Sequence, residues 1–163
     1  MARALVTWSS EYNVGVEGID KQHRSLVDLV NQVWEGIVFQ AERAKILELV
    51  QRLEHYTIAH FAAEEAYMQA IGYPGLDAHK RVHQQFIARV DAEKKAVLKG
   101  GQLTLGLVEF LKQWLLDHIM GLDREAADYA KQVQKTRPKE NIGTVQTSEE
   151  PESILKSIFR RFF

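Results

Sequence analysis

The chain of 163 residues contains no cysteine, which excludes disulfide bonds, thiolate metal ligands and a cysteine nucleophile. It also lacks an apolar run close to the roughly 18 residues that a membrane-spanning helix needs, and its amino terminus has no long apolar segment typical of a signal peptide. Net charge is nearly absent, with 21 basic against 22 acidic residues, so nucleic acid is not expected as a partner. We therefore expect a cytoplasmic protein that is neither exported nor membrane-spanning.

Helical periodicity is the strongest pattern in the sequence. Apolar residues recur at three- and four-residue steps over residues 19–38, 46–68, 76–97 and 107–126, which is typical of amphipathic helices. Asp20 is placed to cap the first of them. Because the connections are short, neighbouring helices should be antiparallel. The sequence thus predicts an all-α protein, an up-down-up-down antiparallel four-helix bundle.

Segments of different character flank the predicted bundle. An irregular N-terminal arm, residues 1–18, carries enough apolar side chains to pack on the bundle. We place the bundle domain at residues 1–134, a polar linker at 135–152 and a basic amphipathic tail helix at 153–163. The tail could fold back on the bundle, attach to a membrane surface or dock in the groove of a partner protein.

Histidines occupy positions where a helical core would normally place leucines. Five of the six histidines fall on the apolar stripes, and only His55 lies off its stripe. One such histidine alone would most simply be a hydrogen-bonded core residue. Burying five without partners would cost a few kcal/mol each, enough in sum to cancel the stability of a domain of this size. A shared metal centre removes that cost.

The spacing of these residues favours chelation. His60 and Glu64 are four residues apart, as are His79 and His83, so each pair projects from one helix face. His118 and Asp123 are five residues apart, which requires Asp123 to reach round or the helix to bulge. Seven candidate ligands are too many for one ion, and imidazoles with carboxylates favour a dinuclear transition-metal centre. The predicted metal ligands are His23, His60, Glu64, His79, His83, His118 and Asp123.

Over roughly residues 5–130 the sequence resembles the hemerythrin family of non-haem di-iron oxygen-binding proteins, particularly its bacterial single-domain members. The matching segments include Ile19-Asp20-Lys21-Gln22-His23, His60-Phe61-Ala62-Ala63-Glu64-Glu65, the run from Gly72 to His83, and Trp114-Leu115-Leu116-Asp117-His118-Ile119.

The resemblance implies a role for each predicted ligand. His79, His83 and His118 would hold one iron, and His23 and His60 the other. Glu64 and Asp123 would bridge the two iron ions (Fe2+/Fe3+) beside an oxo or hydroxo group. The iron with two histidines would keep an open position, where O2 would bind reversibly.

The resemblance leaves several functions to be weighed. Oxygen storage, delivery or sensing without catalytic turnover is the leading interpretation, because the ligand set is rich in histidine. A di-iron enzyme, either an oxidase, a peroxidase or a nitric oxide reductase, could use the same ligands. A third possibility is an iron-handling or signalling module that acts through docking of the tail.

Overall fold

The protein is described here from a computed structural model, which defines residues 4–101 and 104–136. Its helices are α1 (Glu17–Val38), α2 (Arg43–Ala70), α3 (Leu76–Leu98), α4 (Leu105–His118) and α5 (Arg124–Thr136). A π-helical turn, Ile119–Asp123, joins α4 to α5, so that these two segments form the fourth rod of the bundle. The described residues contain no strand. The predicted all-α four-helix bundle is confirmed.

The apolar stripes of the helices meet in one core. Val33, Val50, Leu53, Leu107 and Leu111 are all at most 1% exposed, and each side chain of this size contributes about 1.5–3 kcal/mol when fully buried. Helix α1 packs against both α2 and α4, and α2 packs against α3. This arrangement turns one face of every helix towards the same interior.

The arm that precedes α1 packs on the bundle, as predicted. Val6 and Val14 are buried in the core cluster. The side-chain amide of Asn31 accepts a hydrogen bond from the backbone N–H of Val6 at 3.0 Å and donates one to its carbonyl at 2.8 Å. The guanidinium group of Arg124 donates to the carbonyl of Glu11, so the arm also contacts the fourth rod.

The predicted capping role of Asp20 is wrong. Val16 is the N-cap residue of α1, and it makes no side-chain capping bond. Asp20 lies within the first turn, and its carboxylate accepts hydrogen bonds from the N–H groups of Val14, at 2.7 Å, and Gly15, at 3.1 Å. The helix begins earlier than the apolar pattern indicates, and Asp20 instead fixes the arm to the helix.

The flanking segments are described only in part. None of the helices in the two described ranges is long and apolar enough to cross a membrane. Helix α5 ends at Thr136. The rest of the predicted linker, residues 137–152, and the predicted tail helix, residues 153–163, lie outside the described residues.

We expect Asp20→Ala to lower the free energy of unfolding by about 1–3 kcal/mol, because it removes the acceptor of the buried Val14 N–H. Asp28→Ala is the matched control, since Asp28 lies exposed on the same helix. Urea denaturation at equal metal content compares the two variants. Equal midpoints for Asp20→Ala and the control would contradict this role.

Candidate metal centre

All seven predicted ligand side chains meet at one level of the bundle. Helix α1 supplies one of them, α2 and α3 supply two each, α4 supplies one and the π turn supplies one. They are nearly inaccessible to solvent, with exposures between 0% and 4%. The set is His23, His60, Glu64, His79, His83, His118 and Asp123. By contrast, His55 is exposed, as its position off the stripe predicts.

The cluster divides into two groups that share an acid. His79, His83 and His118 lie with Glu64 and Asp123, whereas His23 and His60 lie with Glu64 alone. Within each group, one nitrogen or carboxylate oxygen from every residue lies within 4.8 Å of the others. The geometry therefore offers two overlapping metal positions, one with three histidines and one with two.

Glu64 spans the two groups with different oxygens. Its Oε1 lies 3.3 Å from His23 Nε2 and 3.4 Å from His60 Nε2. Its Oε2 lies 3.3 Å from the Nε2 atom of His83. A carboxylate in this orientation can place one oxygen on each of two ions.

Asp123 spans the groups in the same way. Its Oδ2 lies 3.2 Å from His23 Nε2, while its Oδ1 lies 3.1 Å from His118 Nε2 and 3.2 Å from His79 Nε2. Its contact with His23 joins it to the two-histidine group.

The nitrogen atoms at the three-histidine end fit a bound cation. His118 Nε2 lies 3.0 Å from His83 Nε2 and 3.1 Å from His79 Nε2. Imidazole nitrogens this close together need either a shared proton or a metal cation between them. Neighbouring donor atoms are about 3 Å apart when each lies about 2.1 Å from a shared ion at a right angle. The donor set therefore suits a transition metal that accepts imidazole and carboxylate.

The electrostatics of the cluster are unequal. Burial is the largest influence at His60, and it lowers the pKa of that imidazole to about 4. Burial also acts to lower the pKa of His23 and His79, but their contacts with Asp123 and Glu64 outweigh it and raise both values to about 9. Since an imidazole must be neutral to bind a metal, an entering ion displaces protons from these two side chains.

The carboxylates of the cluster favour their charged forms. Burial acts to raise the pKa of Glu64, but the surrounding imidazoles, His60 foremost, hold it well below its ordinary value. The pKa of Asp123 is likewise lowered, because contacts with His118 and His23 outweigh burial and the repulsion of Glu64. Two negative charges thus face the positions where cations would sit.

The π turn resolves the awkward spacing of His118 and Asp123. An α-helix would rotate the second residue well away from the first, because five residues exceed one turn by more than a quarter. The turn spans Ile119–Asp123, and a π-helical loop holds one more residue than an α-helical one. The two side chains consequently meet at 3.1 Å. Of the two alternatives that the sequence left open, the structure shows the local bulge.

Two hydrogen-bond partners of the histidines were missed in the sequence, one buried and one partly exposed. Gln22 Oε1 lies 2.8 Å from His60 Nδ1, and Glu65 Oε1 lies 2.9 Å from His83 Nδ1. A signal was present, because Gln22 falls three residues after Ile19 and so lies on the apolar stripe of α1. Both residues stand next to a predicted ligand, Gln22 beside His23 and Glu65 beside Glu64.

Aromatic rings enclose one end of the cluster. Phe61 stacks on His83 with ring centroids 3.6 Å apart, and Trp114 stacks on His118 at 4.4 Å. Phe86 packs against both Phe61 and Trp114. These contacts restrict the orientations of two imidazoles and surround them with apolar surface.

Comparisons with known proteins agree with this geometry. Residues 14–130 match the family described as the hemerythrin HHE cation binding domain. A bacteriohemerythrin of Stenotrophomonas maltophilia (strain R551-3) is 37% identical over 128 residues, covering 78% of this chain and 83% of that protein. A bacteriohemerythrin of Pseudomonas aeruginosa (strain LESB58) is 34% identical over 125 residues, covering 77% and 81% respectively.

Solved structures extend the similarity to the fold. A crystal structure of wild-type hemerythrin aligns with a TM-score of 0.73 at 28% identity, covering 78% of this chain and 98% of that one. The family match spans most of the helical bundle and all seven clustered side chains. The resemblance drawn from the sequence is confirmed, and the chain belongs to the hemerythrin family.

Proposed function

We propose that this protein binds O2 reversibly at a non-haem di-iron centre and serves in oxygen storage, delivery or sensing. The observation that carries the proposal is the division of one buried cluster into a three-histidine and a two-histidine group that share Glu64. Such a site holds two ions side by side and gives them unequal numbers of protein ligands.

The proposed ligand assignment follows the two groups. His79, His83 and His118 would hold one iron, and His23 and His60 would hold the other. Glu64 and Asp123 would be shared by both irons, beside an oxo or hydroxo group, and their contacts with histidines of both groups support this assignment. When bound, the two irons supply a redox pair that accepts and releases O2 without an external electron donor.

The protein's own contribution is to shield the site from water. A small apolar cavity beside the cluster is lined in part by Leu26, Phe61 and Trp114. Thr57 also lines it, but its hydroxyl already donates to the carbonyl of Leu53 at 2.7 Å. Apolar surroundings keep water and protons from the bound gas, and thereby favour release of O2 over irreversible oxidation of the site.

A di-iron enzyme is the alternative use of the same ligands. Sustained consumption of O2, peroxide or nitric oxide with an electron donor would favour an oxidase, a peroxidase or a nitric oxide reductase. The apolar cavity beside the cluster favours reversible O2 binding instead. Catalytic turnover would require a route by which protons reach the site.

The tail adds a separate proposal. The sequence predicts that residues 153–163, as a helix, would carry Ile154, Leu155 and Ile158 on one face and basic residues on the other. This composition suits attachment to a partner protein or to a membrane surface. The cytoplasmic location and the linker boundaries likewise remain predictions from the sequence.

Anaerobic reconstitution with ferrous iron, followed by air, should produce a visible charge-transfer band that disappears when O2 is removed. Two irons per chain should accompany it in elemental analysis. The reversible band distinguishes binding from oxidation. A site that only oxidises, and never regains its ferrous spectrum on deoxygenation, would refute reversible O2 binding.

His60→Ala should lose the iron of the two-histidine group, leaving about one iron per chain and no oxygenated spectrum. The variant removes one of the two imidazoles that are proposed for that ion. His55→Ala is the matched control, because His55 is an exposed histidine of the same helix. If His60→Ala retains two irons and the oxygenated band, the ligand assignment is wrong.

Truncation after Thr136 should leave iron content and the oxygenated band unchanged, because the clustered side chains all precede it. If the tail attaches the protein to a membrane or to a partner protein, the same truncation should move it from the membrane-bound or complexed fraction of a cell extract to the free fraction. Identical fractionation of the full-length and truncated chains would argue against a docking role for the tail.

A further inference from the structure

Two hydrogen bonds tie the imidazoles to polar side chains outside the ligand set. Gln22 of α1 is 0% exposed and meets His60 Nδ1 at 2.8 Å. Glu65 of α2, with its side chain 28% exposed, meets His83 Nδ1 at 2.9 Å. Each partner comes from a neighbouring helix, so each bond also connects two rods of the bundle.

These bonds select the tautomer that can bind a metal. The Nε2 atoms of His60 and His83 both face the cluster, near the oxygens of Glu64. A carboxylate oxygen or an amide oxygen behind the ring accepts a hydrogen bond from the Nδ1–H group, which keeps the proton on Nδ1 and leaves the lone pair on Nε2. The rings are thereby held both in orientation and in protonation state before any ion enters.

The two partners differ in charge. A neutral amide stands behind His60, in the two-histidine group, whereas a carboxylate stands behind His83, in the three-histidine group. The buried Nδ1 atoms of His23, His79 and His118 have no hydrogen-bond partner among residues 4–101 and 104–136. Hydrogen bonding to a carboxylate makes an imidazole a more basic ligand than hydrogen bonding to an amide.

We propose that Gln22 and Glu65 are positioning residues, and that the charge of Glu65 makes the three-histidine end the more electron-donating half of the site. The more basic three-histidine end would stabilise ferric iron. The neutral amide behind His60 leaves the two-histidine end the weaker electron donor. This inference rests on the di-iron function proposed above.

Variants at Glu65 separate the hydrogen bond from the charge. Glu65→Gln keeps an oxygen that can accept a hydrogen bond from the His83 Nδ1–H group but removes the negative charge, and Glu65→Leu removes both. Gln22→Leu is the corresponding change behind His60. Glu48→Gln is the matched control for charge, because Glu48 is exposed on the same helix.

Zinc binding tests positioning without redox chemistry. In the zinc-substituted protein, NMR should show a hydrogen-bonded Nδ1 proton on His83 in the wild type and in Glu65→Gln, and its loss in Glu65→Leu. Zn2+ affinity should fall about 10- to 100-fold in Glu65→Leu and Gln22→Leu. Unchanged proton signals and affinities in both leucine variants would overturn the positioning roles.

The reduction potential of the iron-loaded protein tests the proposed effect of the Glu65 charge. Glu65→Gln should raise the potential relative to both the wild type and Glu48→Gln, because ferric iron loses a more basic ligand. Equal potentials in Glu65→Gln and Glu48→Gln would overturn the proposed effect. If the wild type itself fails to bind two metal ions or to give the oxygenated band, the proposed di-iron function fails instead.

Discussion

Five imidazoles and two carboxylates are buried together at one level of the bundle, and the surrounding structure must compensate for them. Isolated polar groups in such a position would each cost several kcal/mol. Part of the compensation comes from within, because Glu64 and Asp123 stabilise protonated His23 and His79. Cations between the two groups would compensate more completely, since they would face both acids and all five Nε2 lone pairs. The fold brings these side chains together, and its stability in turn depends on their compensation within the cluster.

Much of this arrangement could be predicted from the sequence because it follows helical periodicity. The i, i+4 spacing places His60 beside Glu64 and His79 beside His83, and the structure brings both pairs into the cluster. The five-residue step to Asp123 required either a local bulge or a side chain that reaches round, and the structure shows the bulge. In each case, the number of residues per turn decides which side chains share a face.

What the sequence did not reveal depends on contacts between elements. Asp20 resembles a helix cap by position, yet its carboxylate binds the backbone of Val14 in the arm. The partners of His60 and His83 come from neighbouring helices, so spacing along a single helix cannot pair them. Gln22 and Glu65 are neighbours of ligands in the sequence. Only the packing of α1, α2 and α3 brings them to the Nδ1 atoms of His60 and His83. Helical periodicity predicts which face of its helix a residue occupies, but not which side chain of another helix it contacts.

The π turn has a consequence beyond the metal ligands. Before it, Leu111 and Leu115 face the core, and after it Ala126 and Ala130 are buried as well. The extra residue in the turn changes the facing of every residue that follows it by about 100° relative to a continuous α-helix. The turn therefore sets which face of α5 packs on the bundle, and Ala126 and Ala130 lie on that face. A single local change in winding therefore brings Asp123 to His118 and also sets the face of the rod whose Arg124 donates to the arm at the carbonyl of Glu11.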